Sequence, residues 1–549
     1  MIGLDFGTST SLLAQSTLLR NSIVPLGATT SWLPSIAALD GDNWFLCDDA
    51  SSLPEDQTVR SIKRMITLGD HTATLSDGVN FVEVDADSVI VSILSKIAFI
   101  ANDAFLDLGE PDAVRLGCPA MWDGEQRRRL VRLANAAGIP VGSATVIDEP
   151  IAAGVEWVSQ RVAAGHTIRG KVLVFDMGGG TLDVAVLNVD AAPGREPSIS
   201  VQSAVSDVKA GDSLDEAMTA NLEREFAARG VPIGSGIQRD ELRGWIKAAV
   251  RRAKLELTDM TETTVVVGHP RVDFPPVPYS REELEDAFRP QMVEAMDVVW
   301  RALRAALMTQ VKSPTEQVSL TPRQARGLTE SELTRGVTAV ILAGGMSQIP
   351  MVQNELAEHF GADLVHLGTG STGVAELIAL GLSNDSTYER MNLHRPGFDI
   401  LLRWTDEASS EVREELVYAA YTPLYRVDDA INTDQVKYRW AGPSSLPTKG
   451  EGMLVVRSTA NEPIAFRVAD REVEGLRFQF GRGEFLVTLE PNGRVFWKDS
   501  TGRQTVVRVA RWPVIRGKGI ESIIIESIND ESSSKYKLED LPWHLRPYD

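Results

Sequence analysis

Two short runs carry residues suited to phosphate and metal chemistry. Asp5-Phe6-Gly7-Thr8 ends one apolar run, and Asp176-Met177-Gly178-Gly179 ends another. Each is followed by Thr or Ser and then by a second apolar run, LLAQS after the first and LDVAVLNV after the second. A glycine turn after a strand lets backbone N–H groups approach phosphate oxygens, and a helix start adds positive potential. Three such turns occur: Gly7-Thr8-Ser9, Gly178-Gly179-Gly180-Thr181 and Gly344-Gly345. Alone, each would ordinarily be a tight turn and nothing more. Carboxylate and phosphate oxygens are the hard ligands that Mg²⁺ takes. Asp5 and Asp176 hold equivalent places in the two copies. That pairing favours a metal–phosphate reading over two capping aspartates. Two copies of strand, Asp-x-Gly turn and strand predict a duplicated domain, with two carboxylates and two glycine turns facing each other across one cleft.

The elements around these turns alternate between strand and helix from Met1 to about Leu382, an α/β pattern. Apolar runs ending in Gly or Asp, such as IGLDFG, AVRLGCP, KVLVFDMGGG and TAVILAGG, read as strands. Asp123 to Ala137 reads as a helix. Asp123 can cap it, Gln126 sits at capping-box spacing, Leu130, Leu133, Ala134 and Ala137 share a face, and Gly138 stops it. Ser213 to Arg229 is a second, with Leu214, Met218, Leu222 and Phe226 on one side.

In this order the runs resemble the ATPase domain of the heat shock protein 70 chaperones. IGLDFGTSTS looks like the first phosphate loop of that family. SIKRMI looks like its catalytic-lysine segment, here Lys63. CPAMWDGEQRRRL and VIDEPIAAG resemble the connecting segment, with Pro119, Arg127 and Glu149 in matching places. VFDMGGGTLDVAV resembles the second phosphate loop, AGDSLDEA and RRAKLELT the nucleotide-facing helices of the second lobe, and ILAGGMSQIPMVQ the adenosine loop. The order holds over about 380 residues, which makes a chance match very improbable.

The resemblance implies an actin-like (ribonuclease H-like) two-lobed ATPase that takes ATP/ADP with Mg²⁺ and admits K⁺ as a further cation. By it, Asp5 and Asp176 position Mg²⁺, partly through water, and Asp183 lies near a cation. Gly7, Thr8, Ser9, Gly178, Gly179 and Gly180 serve the phosphates. Lys63 and Glu149 position the attacking water, and Thr181 sits near the γ-phosphate, so Lys63, Glu149, Asp176 and Thr181 are the catalytic candidates. Gly211, Arg251, Lys254, Thr258, Gly344, Gly345 and Gln348 serve the nucleoside. Pro119 and Arg127 relay nucleotide state between lobes. Out of context, Lys63 would read as a solvated lysine and Glu149 as a helix-start carboxylate before Pro150.

The base end departs from the family. Arg251, Lys254 and Thr258 share a helix face, but Arg251 stands where the family has a ribose-binding glutamate and Gln348 where an arginine packs on adenine. Asp212 replaces a glutamate and Ala375 an aspartate. The expectation is weakened adenine selectivity with intact phosphate chemistry. His366 reads as a strand residue, Arg127 to Arg129 as mainly a solvated helix face, and Trp497 and Trp512 as core aromatics.

Residues 1–384 thus read as the ATPase domain, 385–397 as a polar linker broken by Pro396 and Gly397, 398–514 as a smaller β-rich domain, and 515–549 as a C-terminal strand and tail. Asn492-Gly493 marks a hairpin and Ser500 to Arg503 the next turn. Ser409 to Ala420 is the one helix candidate of the β-rich part. Neither a peptide-binding unit nor a helical lid of the family is recognisable there. The reading is an atypical chaperone-like ATPase that couples nucleotide state to a protein client or partner through this domain. In the family, co-chaperones and nucleotide exchange factors act on that cycle. Other readings are a nucleotide-binding switch, a filament-forming actin-like protein without chaperone activity, or a sugar or acetate kinase.

Composition agrees with this class. The formal net charge of -21 opposes binding to nucleic acid or an anionic membrane. No charged and apolar leader precedes the first strand, and no run of about 18 apolar residues occurs. Cys47 and Cys118 lack metal-ligand spacing and read as reduced thiols of a cytoplasmic protein.

Overall fold

The computed structural model describes residues 1–530, except for 18–20, 111–112, 143, 234–236, 310–319, 369–372, 385–388, 407, 428–436, 469–470, 492 and 517–518. The apolar runs at the two acidic turns are the central strands of two sheets. Ile2–Phe6 is buried along its whole length, as is the Val172–Phe175 stretch of Ile168–Met177. Strands covered on both faces read as such unbroken apolar runs.

The two sheets repeat one topology. Ile2–Phe6 runs antiparallel to Thr10–Ser16, which pairs with Asn21–Val24. On its other side it runs parallel to Val114–Cys118, itself parallel to Val146–Asp148. In the second sheet Ile168–Met177 runs antiparallel to Leu182–Ala191, which pairs with Ser198–Asp207. Its other side is parallel to Val337–Ala343, itself parallel to Val365–Leu367. His366 thus sits on a strand. The repeat places Asp5 and Asp176 at the carboxyl ends of equivalent strands. Helices Glu149–Ala163 and Leu377–Ser383 pack against each other between the sheets.

Asp123 caps helix Gly124–Ala136 in a capping box with Gln126. The helix read from Ser213 begins at Gly211 and runs to Ala228. The arginine run needs a correction. Arg129 is as buried as Arg127. It pairs with Asp87 and donates to the carbonyls of Met65 and Asp70, so it ties the helix to its neighbours. Both cysteines are buried and free. Among the described residues no helix is long and apolar enough to cross a membrane.

Beyond residue 384 two readings change. Glu389–Asn392, inside the expected linker, is a strand parallel to Ser198–Asp207. Ile515–Arg516 pairs with its other side. The segment therefore extends the second sheet to eight strands. Its polar residues are sheltered because they bond to the first lobe: Arg390 donates to the Ala144 carbonyl and Asn392 to Asp148. The expected helix Ser409 to Ala420 is instead a strand, Val412–Tyr418, antiparallel to Phe398–Thr405. Asp406 accepts from the Ala408 and Ser409 amides, and Ser410 is left-handed, which turns the chain into a hairpin. Val417 and Tyr418 then reach the core.

The C-terminal region holds a five-stranded and a seven-stranded sheet. Leu486–Leu489 and Arg494–Lys498 form the expected hairpin, with Gly493 left-handed; Asn492 lies outside the described residues. Gly502 is left-handed at the next turn. Trp497 and Trp512 are buried. Strand Ile523–Asp530 joins the larger sheet beside Gln504–Arg511, and the tail beyond lies outside the described residues. One continuous apolar core runs from the second lobe into this β-region, while the first lobe has its own.

Candidate functional site

A cleft of about 590 Å³ lies between the lobes, within the range of small-ligand sites. Its walls include Asp5, Gly7, Thr8 and Ser9 from the first acidic turn and Asp176, Gly178, Gly179, Thr181 and Asp183 from the second. The turns nearly touch. A Cβ on Gly179 would lie 1.9 Å from the Ser9 hydroxyl, and one on Gly180 would lie 2.6 Å from the Thr8 methyl. Gly344 has φ +76, and a Cβ there would lie 2.5 Å from an Asp176 carboxylate oxygen. Bare backbone therefore surrounds the acids, the arrangement that lets amides approach a phosphate.

Lys63 and Glu149 also line the cleft, only 4% and 5% exposed, and pair at 2.5 Å. Lys63 comes from helix Ile62–Leu68 and Glu149 from the first turn of Glu149–Ala163. The solvated-surface alternative for Lys63 is thereby excluded. Thr181 donates to Asp183 at 2.8 Å, and Ser206 is bonded to the same carboxylate. Gly180 and Gly211 stand just behind the wall. Gly211 donates to the Gly178 carbonyl at 3.1 Å, seating helix Gly211–Ala228 on the second turn.

The acids outnumber the local cation. Burial pushes Glu149 up to about 7, with Asp5 adding and Lys63 opposing. Burial also raises Asp5 against the pull of Lys63. It raises Asp176 well above the carboxylate range, with Glu149, Asp183 and Asp5 adding. Asp183 is raised by burial against its bonds to Ser206 and Thr181. Lys63 stays protonated because Glu149 and Asp5 outweigh the burial that works against its charge. Such a set fits an added cation. Yet among the described residues no three His, Cys, Asp or Glu side chains could hold a metal by themselves. The donor set suits Mg²⁺ shared with phosphate and water, which dehydrates reluctantly.

Arg251, Lys254, Thr258, Gly345 and Gln348 line the same cleft with the apolar side chains of Leu255, Met346 and Ile349. Arg251 is engaged with protein carboxylates. It bonds to Glu55 of the first lobe and pairs with Asp215 at 3.3 Å. Lys254 pairs with Asp215 at 2.6 Å and donates to the Gly211 carbonyl. Ser61, left-handed at φ +53, donates to Asp212 at 2.5 Å across the cleft. Glu55, Ser61 and Asp215 were not singled out from the sequence. Ser61 begins SIKRMI and Asp215 lies in AGDSLDEA, so their motifs pointed at them, but only folding pairs them across the lobes.

A duplicated strand–turn–strand unit whose acidic turns close on one cleft defines an actin-like two-lobed fold followed by a β-rich region. Within that class, the family model described as Hsp70 protein matches residues 1–367, and the chain belongs to that family. It is similar to the chaperone protein DnaK of Thermosipho melanesiensis, 26% identical over 373 residues, 66% of this chain and 55% of that one. DnaK of Thermotoga petrophila is 25% identical over 413 residues, 73% of this chain and 61% of that one. DnaK of Endomicrobium trichonymphae is 26% identical over 373 residues, 66% of this chain and 54% of that one. The chain thus spans little more than half the length of these relatives.

Proposed function

We propose that the protein is an ATP hydrolase whose residues 1–384 bind MgATP between the lobes and whose β-rich domain, 398–514 with the strand that follows, carries nucleotide state to a protein client or partner. The observation that carries the reading is the buried Lys63–Glu149 pair set among Asp5, Asp176 and the two glycine turns. Phosphoryl transfer depends on positioning and charge neutralisation, and this site offers both. Asp5 and Asp176 would hold Mg²⁺, partly through water, with Asp183 near a cation, and the metal would offset charge on the phosphate oxygens.

The chain's own side chains do the rest. The amides of Gly179 and Thr8 would serve the phosphates, while the Gly178 amide closes the turn on the Thr181 carbonyl at 3.0 Å. Lys63 and Glu149 orient a water toward the γ-phosphorus. Glu149, with its pKa near neutrality, can take the water's proton as the new P–O bond forms and the bond to the ADP oxygen breaks. The DnaK relatives are chaperones by name, which supports a client protein, co-chaperones and an exchange factor as partners in the cytoplasm.

Steady-state turnover of MgATP, with and without an unfolded protein, tests the reading. Wild type should release phosphate and lose this activity in EDTA. Nucleotide binding without turnover would instead make the protein a nucleotide-binding switch.

A further inference from the structure

The β-rich domain is built onto the second lobe. Glu389–Asn392 continues that lobe's sheet, Ile515–Arg516 pairs beyond it, and the apolar core is shared. The Tyr425 hydroxyl fixes the same side, 2.7 Å from the Thr309 hydroxyl and 3.0 Å from the Ala305 carbonyl.

Against the first lobe the same domain presents Tyr421. Its ring lies 3.8 Å from the guanidinium carbon of Arg127. Arg127 in turn pairs with Asp148 at 2.5 Å and donates to the carbonyls of Trp122 and Pro119. Tyr421, Arg127 and Asp148 are all buried, so the ring replaces water over the cation and the contact keeps its strength. Asp148 is the residue before Glu149, which holds Lys63.

The backbone singles out Tyr421 as well. Its φ is +64, a conformation that a bulky residue keeps only when its surroundings hold it there. The holders are the Pro396 carbonyl, which accepts from the Tyr421 amide at 2.8 Å, and Arg395, which donates to the Tyr421 carbonyl at 3.2 Å. Gly397 lies under the ring. A Cβ there would be 2.8 Å from the ring's Cζ and hydroxyl.

We infer that Tyr421 is a positioning residue of the nucleotide site: carried by the second lobe, it clamps Arg127 of the first lobe onto Asp148 and so fixes the start of helix Glu149–Ala163 from which Glu149 reaches Lys63. What that positioning achieves rests on the ATPase reading; the clamp itself does not. A turn of one lobe against the other has to slide the ring over the guanidinium, so the β-rich domain registers the lobe angle at this contact.

Full-length Tyr421→Leu, Tyr421→Phe and Gly397→Ala separate the possibilities. Leucine removes the ring's π face. Phenylalanine keeps it. The alanine methyl displaces the ring while leaving it in the chain, so it carries the test should the leucine variant fold poorly. Amide exchange at 146–151 without nucleotide should rise roughly tenfold in Tyr421→Leu and Gly397→Ala, the scale of a desolvated cation–π contact. Under saturating ATP kcat should fall by a similar factor with little change in KM, and Tyr421→Phe should restore both readouts. Unchanged exchange at 146–151 in Gly397→Ala and in folded Tyr421→Leu would overturn the inference. Equal loss in Tyr421→Phe would also overturn it, since the hydroxyl would then matter and the ring would not. A wild type that never turns over ATP would sink the ATPase reading alone, because the nucleotide-free exchange still decides the clamp.

Discussion

At the phosphate end of the cleft, Asp5, Glu149, Asp176 and Asp183 gather around the single lysine Lys63. At the base end, Arg251 and Lys254 are met by Glu55 and Asp215 before any ligand arrives. The first end gathers acids and bare glycine backbone, which on the proposed reading suits it to a cation and a phosphate. The second end is already paired, and its Arg251–Glu55 bond holds the lobes to each other. On the proposed reading, catalytic geometry rests on turns that admit no side chain, and base recognition on the side chains of the second end. On that reading the base end can differ from the family at Arg251 and Gln348, as the sequence resemblance implies, while the acidic turns are kept.

The largest expected effect breaks the phosphate end. Lys63→Ala should retain nucleotide binding and lose roughly 10²–10³ in single-turnover hydrolysis, the scale of removing one donor to developing charge. The mutation also leaves Glu149 and Asp5 without their cation, so the ligand-free variant should melt below wild type. A single-turnover rate equal to wild type would remove Lys63 from the chemistry despite its burial.

A several-fold effect is expected at the base end. ATP and GTP should bind with affinities within roughly tenfold of each other, because Gln348 lines this end of the cleft and Arg251 is occupied by carboxylates. Arg251→Ala leaves Glu55 paired with Arg60 alone and removes its bond across the lobes, so nucleotide dissociation should quicken several-fold. Calorimetric titration with both nucleotides and stopped-flow release measure these. A strong ATP preference that survives in Arg251→Ala and in Gln348→Ala would show that other residues read the base.

Much of this was legible in the sequence because it is local. The acidic turns, the capping box at Asp123 and Gln126, and the hairpin around Gly493 are each set by a few adjacent residues whose backbone needs are distinctive. The duplication was visible because both copies carry the same punctuation. What escaped needed distant partners. Glu389–Asn392 looks like a polar linker until the edge of Ser198–Asp207 is there to pair with it. Val412–Tyr418 carries Glu414 and Glu415, good helix formers, but Phe398–Thr405 offers an open edge and the Asp406 turn aims the chain along it. Arg129 looked solvated because its acceptors, Asp87 and the carbonyls of Met65 and Asp70, come from other segments.

The smallest expected effect is on stability, and it distinguishes the two ends by sign. Burial lifts Glu149 from 4.5 to about 7 and raises Asp5, Asp176 and Asp183 in the same direction. Between the unfolded and folded values the folded protein holds protons that the unfolded chain has released. Stability from these groups is therefore complete below their unfolded pKa values and is lost as pH rises through the folded ones. Glu55 behaves oppositely. Burial alone would raise it, but Arg251 and Arg60 outweigh that and hold it below 4.5. Its contribution is complete above the unfolded value and is lost only as pH falls through the folded one. From about pH 5 to about pH 7.5 the base end is thus silent, and the phosphate-end acids pull stability down as pH rises while His394, pushed down to about 3 by burial, and His366, lowered the same way, pull it up until about pH 6.5. The phosphate-end contribution to the Tm of the nucleotide-free protein should fall by a few degrees across that window, the shift that about 1 kcal/mol produces in a domain of this size. Glu149→Gln, which cannot ionise, should flatten the fall. MgADP should flatten it too, since an added cation lets the acids ionise without penalty. Arg251→Ala should leave the slope as it is while lowering Tm throughout. A slope unchanged in Glu149→Gln would mean that the acids around Lys63 are balanced within the protein after all, and the contrast between the two ends would fail.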